Sequence, residues 1–301
     1  MTSPLPTISV AIICKNEEKI IHRAINSVKE ADEILILDTG STDGTEQAVA
    51  ALNLPNVTFL KDSYQWCDDF AHARNAAMSY CTGDWVLFLD CDDWMEPGAI
   101  ESIRAAAAQV RPTQHTLSIR IRHETHADHQ YSYPKVIRRE SGVHFEGACH
   151  EWTTANHGGP DVAVMVLGRS DNHDTDTGRV LRIMGKMHEE NPKDGRTLYY
   201  LAREYYYLKK WRKATDLFEQ CIKHSRFLAE RADAYLYLAR IHWVTAKGDE
   251  ARDACMKAIT INANFKEALL FMATLSFEHN AVRWREFAEC ATNERVLFVR
   301  G

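Results

Sequence analysis

Apolar residues along this chain fall into two regimes. In the first part they form short runs rich in β-branched residues: 8–14 (ISVAIIC), 33–37 (EILIL), 56–60 (NVTFL) and 85–89 (WVLFL). Runs of that length and composition predict strands buried on both faces. Between them the period is helical. Ile20, Ile21, Ala24, Ile25 and Val28 share one face of a predicted helix over 16–31. GSTDGTEQAVAAL (40–52) predicts a turn opening a helix, and DDFAHARNAAMSYC (68–81) a further helix ended by Gly83. Such β-α-β-α alternation implies a parallel sheet with helices on both faces. After a predicted helix over 97–110, TLSIRIRHE (116–124) alternates strictly. Leu117, Ile119 and Ile121 oppose Ser118, Arg120 and Arg122, the pattern of a half-exposed strand. One or two strands follow within 133–154, and VAVMVLG (162–168) closes the region as a strand.

From about Gly178 the pattern is wholly helical and repeats itself. Leu201, Ala202, Ala214 and Ile222 recur 37 positions later as Leu238, Ala239, Ala251 and Ile259; Ala234 and Ala239 recur 34 later as Ala268 and Ala273. Small residues at fixed positions of a 34-residue helix-turn-helix unit are the tetratricopeptide signature, and the spacing of 37 places three extra residues near FLAER (227–231). Two good repeats and a degenerate third fit an array ending in a cap. The chain is therefore expected to hold two domains, 1–177 and 178–301.

Composition narrows the classes. A chain of 301 residues, 45% hydrophobic and 26% charged, is that of a globular protein. A net charge of −6 offers no global field for nucleic acid. No apolar run nears the roughly 18 residues of a membrane span, and the N-terminal stretch lacks a basic leader, so no secretory signal is expected. Eight cysteines without a C-x-x-C pair argue against a zinc site or disulfide framework and fit a reduced cytoplasmic protein.

The chemistry concentrates where strands end. The run 85–89 passes straight into Asp90, Asp92 and Asp93. The carboxyl end of a parallel strand is where open α/β sheets bind ligands. If the chain stays extended, Asp90 and Asp92 point the same way and can share a hard divalent cation, Mn²⁺ or Mg²⁺, whose remaining positions accept substrate phosphates. Asp38 ends its own strand at the same edge, able to accept hydrogen bonds from a ribose or base. For Ser41 and Thr42, ordinary turn chemistry is the preferred reading.

The ordered stretches SVAIICKNEE, ILILDTGSTDGT, DDFAHARNAA and GDWVLFLDCDDW resemble family-2 glycosyltransferases of the GT-A fold over about the first 175 residues. The tail resembles the tetratricopeptide repeats that some members carry. The resemblance implies an α/β GT-A domain followed by an all-α repeat domain. It also implies transfer of a sugar, with inversion, from a nucleotide diphosphate donor, usually a UDP-sugar; glucose and N-acetylglucosamine are favoured. By the same resemblance Asp38 holds the uridine, Asn16 and Glu17 line the nucleotide pocket, and Arg74 stands near the base or phosphates. Asp90 touches the ribose or the metal, Asp92 binds the metal, and a late histidine, His173, is a further ligand.

An inverting displacement needs a base on the acceptor side. EGACHEW offers Glu151 as that base with His150 beside it; Asp93 and Asp174 are rivals. His123, His126 and His129 sit in a polar segment read as an acceptor loop, with Tyr131 and Tyr133 as stacking platforms. Trp66 and Trp94 face the sugar or pack in the core. The repeats hold a macromolecular acceptor or make a homodimer. A peptide or protein acceptor comes first, then a saccharide or lipid-linked one. Modified DNA is third, with Arg120, Arg122, Lys135, Arg138 and Arg139 toward phosphates, although the net charge disfavours nucleic acid. A non-catalytic scaffold that binds nucleotide sugar is the alternative of another class.

Overall fold

The computed structural model describes residues 4–124, 130–155, 158–168, 176 and 178–292. The chain forms two compact units, residues 1–179 and 180–301.

The first unit is built on an eight-stranded sheet. Strands β1 (Ile8–Cys14), β2 (Glu33–Asp38), β3 (Val57–Leu60) and β4 (Trp85–Phe88) form a parallel block in the order β3-β2-β1-β4. Beyond β4 the sheet continues through β7 (Gln130–Arg138), β6 (Thr116–His123), β10 (Asp161–Leu167) and the two-residue β5 (Trp94–Met95). Here β7 runs antiparallel to β4 and β6, while β6 and β10 are parallel. A separate hairpin joins β8 (Phe145–Glu146) to β9 (Trp152–Thr153).

Period-2 alternation splits the parallel block between two cores. On one face Ile8, Val10, Ile12, Ile34, Ile36, Trp85 and Leu87 pack with helices α1 (Ile21–Asn26) and α4 (Ala99–Ala107). On the other, Ala11, Leu35, Leu37, Val86 and Phe88 pack with α3 (Phe70–Tyr80) and Phe145. The remaining helix, α2 (Thr45–Ala50), follows β2. Both faces are thus covered, as the apolar runs require.

Three local expectations are corrected. The helix expected over 16–31 shrinks to α1. Its predicted first turns are taken up instead by backbone bonds to the neighbouring loop, Glu17 N–H to Thr45 Oγ1 (2.8 Å) and Glu18 N–H to Asp43 Oδ2 (3.3 Å). Strand β5 carries no run of its own and exists by pairing with β10. In β6, Ser118 is buried rather than solvent-facing because β7 and β10 flank that strand on both sides.

The second unit is all-α. After α5 (Arg179–Glu190), three hairpins follow: α6 (Gly195–Tyr207) with α7 (Trp211–His224), α8 (Leu228–Val244) with α9 (Gly248–Ile261), and α10 (Lys266–Leu275) with α11 (Glu278–Cys290). The repeating alanines 202, 214, 239, 251, 268 and 273 are all buried, as close helix packing demands. Helices α7 and α9 begin 37 residues apart, and the surplus lies at the start of α8, which has 17 residues against 13 in α6. That is where FLAER stands. An α/β unit followed by an all-α helical-repeat unit is what the sequence predicts and what the chain adopts.

Candidate active site

On β4, Val86 and Phe88 face α3 while Trp85, Leu87 and Leu89 face the other core. Continuing the alternation puts Asp90 on the α3 side. There Arg74, from the second turn of α3, donates through Nη2 to Asp90 Oδ1 at 2.6 Å and through Nε to Glu151 Oε1 at 2.5 Å. The other oxygen of Asp90 accepts from Lys135 Nζ at 3.1 Å. The result is a line of alternating charges, Glu151, Arg74, Asp90, Lys135, drawn from four different segments.

Each member is fixed by its own local structure. Asp69 caps α3 by accepting from His72 N–H at 2.8 Å, and Phe70 N–H bonds Ala148 O at 2.9 Å, tying the helix start to the loop before Glu151. One turn on, Asn75 clamps the backbone of Phe145 through both its amide atoms at 2.9 Å. The loop 147–150 turns back on two left-handed residues, Gly147 (φ 86°) and His150 (φ 53°). Gly147 is needed for a second reason: a Cβ there would lie 2.5 Å from the Trp152 ring. His150 takes a conformation uncommon outside glycine, and the chain leaves it with Glu151 turned to Arg74. Tyr133 donates to the Glu151 carbonyl at 3.2 Å, so its hydroxyl is a tether.

Charge compensation dominates the electrostatics. Burial opposes the Arg74 cation, but Asp90 and Glu151 outweigh it and hold the guanidinium protonated far above its usual range. Burial likewise pushes the Asp90 carboxyl up, yet Arg74 and Lys135 overcome this and hold it well below the usual carboxylate value. Asp93 behaves oppositely: burial, then the charge of Asp90, raises it to about 8. Among the described residues Glu151 Oε2 has no hydrogen-bond donor, and its side chain keeps 15% exposure, enough to accept from an incoming hydroxyl.

The acidic run does not stay extended. It turns at residues 91 and 92, with Asp93 N–H bonding Asp90 O at 3.1 Å, so Asp90 and Asp92 are not successive residues of one strand face. The turn is clamped. Asp93 Oδ1 accepts from Gly168 N–H at 3.0 Å, and Arg23, stacked 3.8 Å over the Trp94 ring, donates to Asp92 O at 2.9 Å. Trp94 therefore serves packing. Trp66 bonds Asp68 and sets its ring edge against Phe70.

A second cluster lies at the ends of β1 and β2. Asp38, buried, accepts Ser41 N–H on both oxygens at 3.1 Å. Asn16, at φ 59°, donates its backbone N–H to Ser41 Oγ (2.9 Å) and accepts Thr42 N–H on its side-chain Oδ1 (2.7 Å). Ser41 and Thr42 thus do turn work, as read. Two thiols, Cys14 buried and Cys91 half-buried, stand between the clusters. After burial, Asp38 and Glu17 push the Cys14 thiol up, and Glu17, Asp92 and Asp90 do the same to Cys91.

A divalent ion at this edge would have to draw its hard oxygens from Asp90 and Asp92. No group of three or more metal-binding side chains converges among the described residues. His173, with Asp174, His126 and His129, lies outside them. Of the five basic residues read as phosphate contacts, Lys135 alone joins the cluster. Arg120 pairs with Asp161, Arg122 with Glu96, Arg138 covers the Trp85 ring, and Arg139 bonds Gly83 O and Glu140. The pairing of Leu87 with Val136 puts Lys135 level with Phe88, on the α3 side. The sequence signal was a lysine inside an apolar alternation; which strand it would face was not legible.

Comparison with known proteins places these observations. Residues 9–132 match the family model Glycosyl transferase family 2. The chain is 28% identical over 233 residues to the SPbeta prophage-derived glycosyltransferase SunS of Bacillus subtilis, covering 74% of this chain and 54% of that protein. It is 32% identical over 148 residues to a tetratricopeptide-repeat-containing protein of Synechococcus elongatus, 48% of this chain and 34% of the other. The chain thus spans about half the length of SunS or less of such relatives. Among solved structures, S. aureus TarS 1–349 in complex with UDP-GlcNAc aligns over 87% of this chain and 92% of that one, at 16% identity and a TM-score of 0.45. No helix among the described residues is long and apolar enough to cross a membrane.

Proposed function

We propose that this chain, which carries a glycosyl transferase family 2 domain at residues 9–132, moves glucose or N-acetylglucosamine from a UDP-sugar to a macromolecular acceptor with inversion. A peptide or protein acceptor is the first choice. The observation that supports this most is the alternating line Glu151–Arg74–Asp90–Lys135 at the carboxyl end of β4.

In this reading Asp38 accepts from the nucleoside, and Asn16 and Glu17 line its pocket. Asp92 with Asp90 would hold Mn²⁺ or Mg²⁺. Such an ion supplies neutralisation of the negative charge that develops on the departing diphosphate. Arg74 and Lys135 place fixed positive charge beside the same spot, preorganised by their bonds to Asp90. Glu151 is the base. Arg74 holds its Oε1, leaving Oε2 to take the acceptor proton on the face opposite the leaving group. His150 sets the backbone turn that aims it.

The purified chain incubated with Mn²⁺ and UDP-glucose or UDP-N-acetylglucosamine should slowly release UDP, water standing in for the acceptor. Glu151→Gln should keep a metal-dependent thermal shift with donor but cut UDP release by about a hundredfold. Asp92→Asn should lose the shift while the protein stays folded. Donor binding without any turnover would support a nucleotide-sugar-binding scaffold and end the transferase reading. Normal turnover by Glu151→Gln would end the base assignment alone.

A further inference from the structure

The helical unit has an edge that the proposed reaction leaves unused. Tyr199 bonds Asp233 and the hydroxyls of Tyr207 and Tyr237 meet, so contacts advance together along α6 and α8 and the two helices run the same way. Between α9 and α10 they advance in opposite senses, Cys255 to Ala268 and Arg252 to Leu275. Helix α10 therefore opposes α9 and shares the direction of α8, which α9 opposes across its own short turn. The turns 208–210, 245–247 and 276–277 thus stand at the same ends of three parallel helices.

Each of these turns leaves large apolar side chains in the open. Leu208, Trp243, Val244 and Phe277 are between 46% and 83% exposed. At the opposite edge the loops 191–194 and 262–265 expose none, and Phe265 there is buried; only Phe227 with Leu228 stands out. Trp243 and Phe277 lie 34 residues apart and Lys210 and Lys247 lie 37 apart, so aromatic and lysine return with the repeat itself. Lys209, Lys210 and Lys247 are all exposed among the apolar tips. Over 207–213, 243–252 and 276–279 six basic residues stand against three acidic ones, Asp249, Glu250 and Glu278, in a chain whose net charge is −6. Asp249 already pairs with Arg252, and the first turn, KKWRK (209–213), holds no acid at all.

A matching surface is anionic outside, apolar a few ångströms deeper, and broad enough to meet three turn tips at once. The head-group layer of an anionic bilayer has that profile. Aromatic rings settle at its boundary, and lysines reach lipid phosphates while their stems lie over apolar atoms. A peptide asks for a groove between walls, which turn tips at the ends of helices do not form. A nucleic acid would use the lysines but leave Leu208 and Val244 in water. We propose that this edge docks the chain on the surface of an anionic membrane, its apolar tips in the head-group boundary and its lysines on lipid phosphates. The proposal rests on the turns and not on the reading of the sheet unit.

The test floats the full chain with vesicles of phosphatidylcholine alone and with vesicles carrying about one-third phosphatidylglycerol, at low and high salt. Binding is expected to the anionic vesicles at low salt, weaker at high salt and absent from phosphatidylcholine alone. Lys209→Gln with Lys210→Gln should cut the partition coefficient by about tenfold or more. Phe277→Ser, at a side chain too exposed to matter for folding, should cut it by about tenfold. Brominated lipid should quench tryptophan fluorescence on binding, and Trp243→Phe should remove most of that quenching. The proposal is overturned if the anionic vesicles fail to float the chain at low salt, or if binding survives both the lysine pair and Phe277→Ser. Capture of polyglutamate or of a single-stranded oligonucleotide by this edge, with vesicles left unbound, overturns it as well.

Discussion

Both units bury an arginine, Arg74 at 8% exposure and Arg203 at 6%, and they keep it charged by different means. Arg74 is offset by two carboxylates at a strand end, in direct contact with both. Arg203 sits 5.4 to 5.8 Å from the rings of Tyr199, Tyr200 and Tyr207 and donates to a phenol. Ion pairs can exchange: a carboxylate that loses one cation can take another, as donor chemistry requires. A guanidinium packed among rings is held by shape as well as by charge and fixes how helices meet. A buried cation thus marks chemistry in one place and architecture in the other.

The sharpest way to break this contrast is Arg74→Ala, which leaves Asp90 and Glu151 without their shared cation. Removing one partner of a buried pair costs about 3–5 kcal/mol, so denaturant unfolding of the sheet unit should show a loss of that size with donor binding abolished. Lys135→Met removes only one of the cations on Asp90. A loss of about 1–3 kcal/mol is expected, with weaker donor affinity measured by calorimetry. Arg203→Met keeps volume and loses the ring contacts, for about 1–2 kcal/mol in the melt of the helical unit and no change in donor affinity. A donor-binding defect in Arg203→Met would erase the distinction.

The smallest effect is one of pH, and its sign differs between groups. Thr7, through its amide and hydroxyl, holds the Asp84 carboxyl below its ordinary 3.8. Asp32 is also lowered: burial opposes, but the Ile8 amide and Arg104 prevail. The stability these acids add to the sheet unit is present above 3.8 and lost as pH falls through their lowered values. In the helical unit burial raises Glu230 above its ordinary 4.5, although Ser225 bonds it at 2.6 Å. That unit should be firmest below 4.5 and weaken as pH rises through the raised value. Hydrogen exchange below pH 3.8 should show the sheet unit weakening as pH falls, a slope that Asp84→Asn flattens, and exchange above pH 4.5 should show the helical unit weakening as pH rises, a slope that Glu230→Gln flattens.

Much of this was readable from residue order because it is local. Continuous runs marked the parallel strands, and the alanine spacing located both the repeats and the lengthened α8. The convergence of Arg74, Asp90 and Glu151 came from family motifs, not from spacing, since 74, 90 and 151 are joined only by the fold. Lys135 escaped because its partner depends on β7 pairing with β4, a long-range register that no local pattern encodes. The helix at 16–31 was over-read for the opposite reason. Its apolar period is real, but backbone bonds to the 41–45 loop claim its first turn. The bend at 91–92 was left open because aspartates suit a strand end and a turn alike, with no glycine or proline to decide between them.

One glycine far from the acids in sequence has a consequence for them. A Cβ on Gly168 would lie 2.0 Å from the Asp92 carbonyl. The closing strand of the sheet unit is therefore a stop against which the aspartate hairpin rests, and even an added methyl would shove that hairpin outward. Variation at position 168 should accordingly register as a defect of the proposed donor pocket, although nothing in its chemistry touches a sugar.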